Sequence, residues 1–138
     1  MDNIQTNTRA GNVAFASGDL SAKNGYLAKL TPAGVALPAA LTDDTPYVIV
    51  DGGTSETVVK PLNRGEQIRV ILKGACSQGD LLCAADPAIA ADAGKVRAVP
   101  EAAGTYRAVG IAEESGVDGQ AVLMRAFDKS VTVSASQG

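Results

Sequence analysis

Few residues in this chain are equipped to do chemistry. Its 138 residues include no histidine, so the commonest general base near neutral pH is missing. Two cysteines, Cys76 and Cys83, lie seven residues apart. A disulfide across a turn is open to them in an oxidising compartment, and a zinc site would need carboxylates to complete four ligands. With no export signal in view, the simpler expectation is two reduced, buried side chains near strand ends. Ser55 stands in a Gly-Thr-Ser-Glu loop with no base beside it. Lys60 and the Lys129-Ser130 pair are the remaining candidates for serine–lysine chemistry, and a thiol nucleophile at either cysteine would lack an imidazole partner. Carboxylates occur side by side at Asp43-Asp44 and Glu113-Glu114. Strand neighbours face opposite sides, so neither pair is set to share a substrate, and both read as solvated turns. No Asp-rich calcium loop and no phosphate-cradling glycine loop occurs. The expectation is a protein that is not an enzyme, with no catalytic residues, no cofactor and no metal.

The elements that would position any working surface are short strands. Fifteen glycines and six prolines punctuate the chain about every eight to twelve residues, the spacing of a sandwich or barrel. Strands are expected at 12–16, 26–30, 47–50, 57–62, 67–72, 81–84, 95–99, 106–112 and 120–127. The clearest is Gln67 to Leu72, where Ile68 and Val70 alternate with Arg69 and Ile71. The Ala-rich stretch 86–94 holds one or two helical turns at most, or a loop. The fold class expected is all-β: a jelly-roll-like sandwich or small β-barrel of eight to ten short strands. A faint repeat supports two similar halves. Gly18-Asp19-Leu20 is echoed by Gly79-Asp80-Leu81, Gly34-Val35 by Gly94-Lys95-Val96, and Tyr47 to Val50 by Tyr106 to Val109.

Composition narrows the partners. Apolar residues make up 46% and charged residues 20%, but aromatics only 4%, and alanine and valine dominate. A core of such small side chains buries little area each, so the monomer is expected to be modestly stable and to gain from partner contacts. Twelve basic residues are scattered among fifteen acidic ones for a net charge of −3, which argues against nucleic acid. The polar start and the lack of a long apolar run argue against a secretory leader and a membrane span. A soluble chain made in the cytoplasm is expected.

The ends differ from the middle. The division expected is an N-terminal arm over 1–11, one β domain over 12–127 and a C-terminal tail over 128–138. In the arm, Ile4 is the one sizeable apolar side chain, and in the tail Val131 and Val133 alternate as in a strand. Each end reads as a frayed terminus or as an arm that adds itself to a neighbour's sheet edge. Asn3, Ile4, Thr6, Arg9, Val131, Thr132 and Val133 are therefore the candidate contact residues. Arg64, Glu66, Arg69, Lys73 and Arg125 are candidates for charge matching.

Several segments in order resemble a known family. The turn Ser17-Gly18-Asp19 follows a short strand. Further on come Gly79-Asp80-Leu81-Leu82, an Ala-rich stretch and Gly94-Lys95-Val96. Val109-Gly110-Ile111-Ala112 then leads to an acidic loop closed by Gly116 and Gly119, and Ala121 to Arg125 forms the last strand. In this order, and in its His-free and Trp-free composition, the chain resembles the small head decoration (cement) proteins of tailed bacteriophages over about residues 12 to 127. The resemblance implies a jelly-roll or barrel protein on the outer surface of a phage head, clamping neighbouring major capsid subunits as a homodimer or trimer. It implies a virion location after synthesis in the host cytoplasm, and no catalytic residues. The alternative is a small β-sandwich module for a glycan or other ligand. Only Tyr26, Tyr47 and Tyr106 supply tyrosine rings for stacking a sugar.

Overall fold

The computed structural model describes residues 11–135, the side chains of 128–130 and 135 excepted. Among the described residues there are ten strands. They are β1 (Val13–Ala16), β2 (Leu27–Thr31), β3 (Gly34–Ala36), β4 (Tyr47–Asp51), β5 (Glu56–Pro61), β6 (Gln67–Ile71), β7 (Leu81–Ala84), β8 (Val96–Ala98), β9 (Gly104–Ala112) and β10 (Ala121–Ala135). The chain is all-β, as the turn spacing predicts. In the Ala-rich stretch only a single 3-10 turn forms, Ala90–Asp92. Its buried Asp92 lies 3.6 Å from the Lys73 ammonium and 3.8 Å from that of Lys95.

The strands form two five-stranded antiparallel sheets, ordered β1-β5-β4-β2-β3 and β6-β10-β9-β7-β8. Counted from the start of each half, these are the same order. The three sequence echoes fall on matching places: the loop before β2 or β7, the start of β3 or β8, and β4 or β9. The loops are stitched alike as well. Ser17 N–H donates to Ser55 O at 2.9 Å, and Cys76 N–H donates to Gly116 O at 3.0 Å. Leu20 N–H donates to Gly53 O, and Gly79 N–H to Ala112 O, both at 2.8 Å. The chain is thus two copies of one five-stranded module. Each sheet takes its strands from one contiguous half, so the connectivity is not that of a jelly roll, whose Greek keys weave strands between sheets.

In each module the two outer strands come back toward one another. Leu72, directly after β6, forms a parallel bridge with Val96 in β8, and Lys73 N–H donates to Val96 O at 2.7 Å. In the first module β3 approaches β1 so closely that a Cβ on Gly34 would stand 1.9 Å from the Ala16 carbonyl oxygen. Gly34 also has φ +139°, a conformation disfavoured for a residue with a side chain. One core cluster lies on the first sheet and gathers Ala28, Val35, Ile49 and Val59, with Phe15 and Tyr47 tilted together at 5.5 Å. The second gathers Ile68, Val70, Leu72, Leu82, Val96, Val122 and Met124. Leu27 and Val48 join the second cluster while their chain neighbours Ala28 and Ile49 stay in the first. By strand alternation the first sheet therefore buries both faces, and this is what fastens module to module. Backbone bonds from Leu27 N–H to Gly94 O (2.7 Å) and from Ile71 N–H to Gly25 O (3.2 Å) reinforce the seam.

Gly34→Ala is expected to destabilise the fold by about 3 kcal/mol or more, since steric overlap with backbone adds to the φ strain. Gly79→Ala is the control: φ is +96° but no atom lies within 4 Å of the added Cβ, so strain alone costs about 1–2 kcal/mol. Urea unfolding of the two variants checks this, and equal losses would contradict the close approach of β1 and β3.

Candidate interaction surface

The strand expected to stop at Phe127 continues to Ala135. Its first part pairs with β6, from Ala121 opposite Ile71 to Arg125 opposite Gln67. The ladder is extended by Ala126 N–H to Glu66 O and Gly65 N–H to Ala126 O, each 2.9 Å. On its other side β10 pairs with β9, but the register slips between Ala126 and Val131, where Ala126 faces Gly110 and Val131 faces Ala108. Pairing then runs on to Ala135 opposite Gly104. Val131, Thr132 and Val133 therefore belong to no free tail: they lie opposite Ala108, Arg107 and Tyr106 of the same chain. The tail expected over 128–138 is strand through residue 135. The cause is the bulge, which absorbs the polar residues after Phe127 and lets the Val-Thr-Val alternation resume pairing. Asn3, Ile4, Thr6 and Arg9 lie outside the described residues.

Past Ala126, β10 has a strand partner on one side only among the described residues, because β6 has ended. The bulge takes up residues 127–130, and the regular ladder beyond it, Val131 to Ala135 opposite Ala108 to Gly104, is an edge of about 17 Å at the usual rise per residue. The outer strands of the sheets, β1, β3, β6 and β8, have three to five residues each, short enough to offer little template for pairing. Beside this edge lies a groove of about 360 Å³ lined by Arg64, Gly65, Ile111, Arg125, Phe127 and Val131. Ile111 is 40% exposed and Val131 46%, so the groove offers apolar surface to water. Arg64 is exposed at its rim.

The charged residues next to the groove neutralise one another. Glu113 and Glu114 follow the last residue of β9, so strand alternation does not separate them. Instead both reach onto the outer face of β6 and β10. Glu113 accepts from Gln67 (2.7 Å) and Arg125 (3.1 Å), and Glu114 accepts from Arg69 (2.8 Å) and from Leu123 N–H (3.1 Å). The Gln67 amide, then Arg125, holds the Glu113 carboxyl below the usual range, and Arg69 does the same for Glu114. Arg125 also donates to Gly65 O at 2.7 Å. Asp43 is lowered by the backbone N–H groups of Ala39 and Ala40 and by Lys29, and Lys60 bonds Glu66 and lowers its carboxyl. Of the charge-matching candidates, Glu66, Arg69, Lys73 and Arg125 are thus engaged within the chain. Among the described residues no three ligand-type side chains come together to hold a metal ion.

Both cysteines are free and buried, with their thiol pKa values raised by burial. That placement suits packing rather than nucleophilic attack. A second groove, of about 440 Å³, runs between the modules past Asn24, Val48, Val50, Lys60, Gln67 and Ile71. No family model, curated protein or solved structure matches the chain.

Two outcomes follow. Carboxyls lowered on folding stabilise the protein fully above their unfolded pKa near 4, and the contribution is lost as pH falls through the folded values. With no histidine, the thermal midpoint should be level between about pH 5 and 8 and drop below about pH 4. A step near pH 6.5 in a thermal melt series would contradict this. Both thiols should also resist a disulfide exchange reagent in the native protein and react in denaturant. Rapid native labelling of either would contradict their burial.

Proposed function

We propose that this protein is a non-catalytic structural protein that binds a protein shell. In the terms of its resemblance it is a head decoration protein, seated as a homodimer or trimer on the outer surface of a phage capsid and holding neighbouring major capsid subunits together. The observation that carries the reading is the edge of β10 beyond the end of β6, which has no second strand partner among the described residues and lies beside an apolar groove. An extended segment of a shell subunit added along that edge gains main-chain hydrogen bonds, and a side chain in the groove gives it register. A lattice repeats the contact many times, so each can be weak and the layer still hold by avidity. The engagement of the carboxylates and the burial of both thiols support the non-catalytic part of the reading.

Sedimentation with undecorated capsids is the test. Saturable binding of the wild type is expected, reduced at least about tenfold by Thr132→Pro, which blocks strand addition at the edge. Absence of saturable binding by the wild type would overturn the proposal.

A further inference from the structure

Arg64 is held in a defined place beside the groove. It is the second residue of the tight turn over residues 63–66, closed by Glu66 N–H to Asn63 O at 2.9 Å. Gly65, the third residue, has φ +82°, a conformation that a side chain would disfavour. The turn is tied to both backbone groups of Ala126, by Gly65 N–H to Ala126 O and Ala126 N–H to Glu66 O, each 2.9 Å. Arg125 fastens it further by donating to Gly65 O at 2.7 Å. The Arg64 side chain itself is exposed and lines the groove with Ile111, Phe127 and Val131.

Its charge is left over. The carboxylates around it have partners: Glu66 pairs with Lys60, Glu113 with Gln67 and Arg125, and Glu114 with Arg69. Among the described residues Arg64 has no ion-pair partner, and no carboxylate lines the groove. A chain of net charge −3 thus presents an unbalanced cation at the margin of an apolar groove. Beside apolar walls its attraction for an opposite charge is screened less than in open water. At about 360 Å³ the groove lies at the small end of ligand pockets, which run from about 300 to about 1,000 Å³. That size suits a side chain of an added strand.

An added strand would stand in a fixed relation to both features. β6 runs antiparallel to β10 and starts at Gln67, opposite Arg125. A strand that takes up the line of β6 beside Val131 to Ala135, in the same antiparallel sense, points its C-terminal end toward Arg64. Its alternate residues share one face, about 7 Å apart. We propose, on the reading of β10 as the binding edge, that the groove recognises an extended segment in which an acidic residue follows a bulky aliphatic one by two positions. The aliphatic side chain lies against Ile111 and Val131, and the carboxylate pairs with Arg64. On that reading the segment belongs to a shell subunit.

A pair of end-blocked, threonine-rich peptides tests this, one with Leu-Thr-Glu at its centre and the other with Leu-Thr-Lys. Each is titrated into the isotope-labelled full chain and followed by nuclear magnetic resonance. The acidic peptide is expected to shift the amide signals of 131–135 and the side-chain Nε–H signal of Arg64. It should bind about tenfold more tightly than the basic one. In Arg64→Glu the preference should reverse, a result that damage to the fold would not produce. Equal affinity of the two peptides, an unchanged preference in Arg64→Glu, or binding by neither would overturn the proposal. Sedimentation with capsids is a separate arm. Failure of the wild type there, with the peptide preference intact, would remove the shell as partner and leave the groove's preference established.

Discussion

Unpaired backbone at sheet edges is the constraint around which this molecule is arranged. Each strand edge presents N–H and C=O groups that water, a neighbour or another chain must satisfy. Each module meets the demand by keeping its outer strands short and bringing them back toward each other. In the second module a backbone bridge joins Leu72 to Val96, and in the first the close approach of Gly34 to Ala16 does the work. The modules then share one seam, because β2 and β4 bury Leu27 and Val48 on one side and Ala28 and Ile49 on the other. A chain with few aromatics can sustain this because two small cores fused through a shared sheet bury more than either would alone.

The same constraint marks out the surface proposed for binding. β10 outruns β6, and the bulge between Ala126 and Val131 re-aims it against β9 rather than ending it. What remains, among the described residues, is a strand paired on one side only, flanked by a groove with an arginine at its rim. The neighbouring charges are settled internally, Glu113 with Gln67 and Arg125 and Glu114 with Arg69. What the described residues offer there is an apolar groove and strand backbone.

Much of this was legible in the amino-acid order. Glycine and proline spacing gave nine strands close to their observed positions, and the echo of Gly18-Asp19-Leu20 in Gly79-Asp80-Leu81 marked a true duplication of strand order. β3 escaped notice because Gly34-Val35-Ala36 is three residues long and starts on a glycine, too short for alternation to register. The extension of β10 escaped because the polar residues after Phe127 imitate a strand end, and only the tertiary register shows that they are bulged. Glu113 and Glu114 were separated by a rule that holds inside strands, whereas they lie just beyond one. The strand-edge property itself has no local signature, since which strand outlasts its neighbour depends on pairing between distant segments.

The central claim is that the protein works through the open edge of β10. An electron cryomicroscopy map of the protein seated on an undecorated shell, resolved to individual strands, tests it most directly. The account predicts an added strand from the shell running alongside residues 131–135, with a side chain in the groove by Ile111 and Val131. Shell contacts confined to other surfaces, with that edge facing away from the shell, would contradict it.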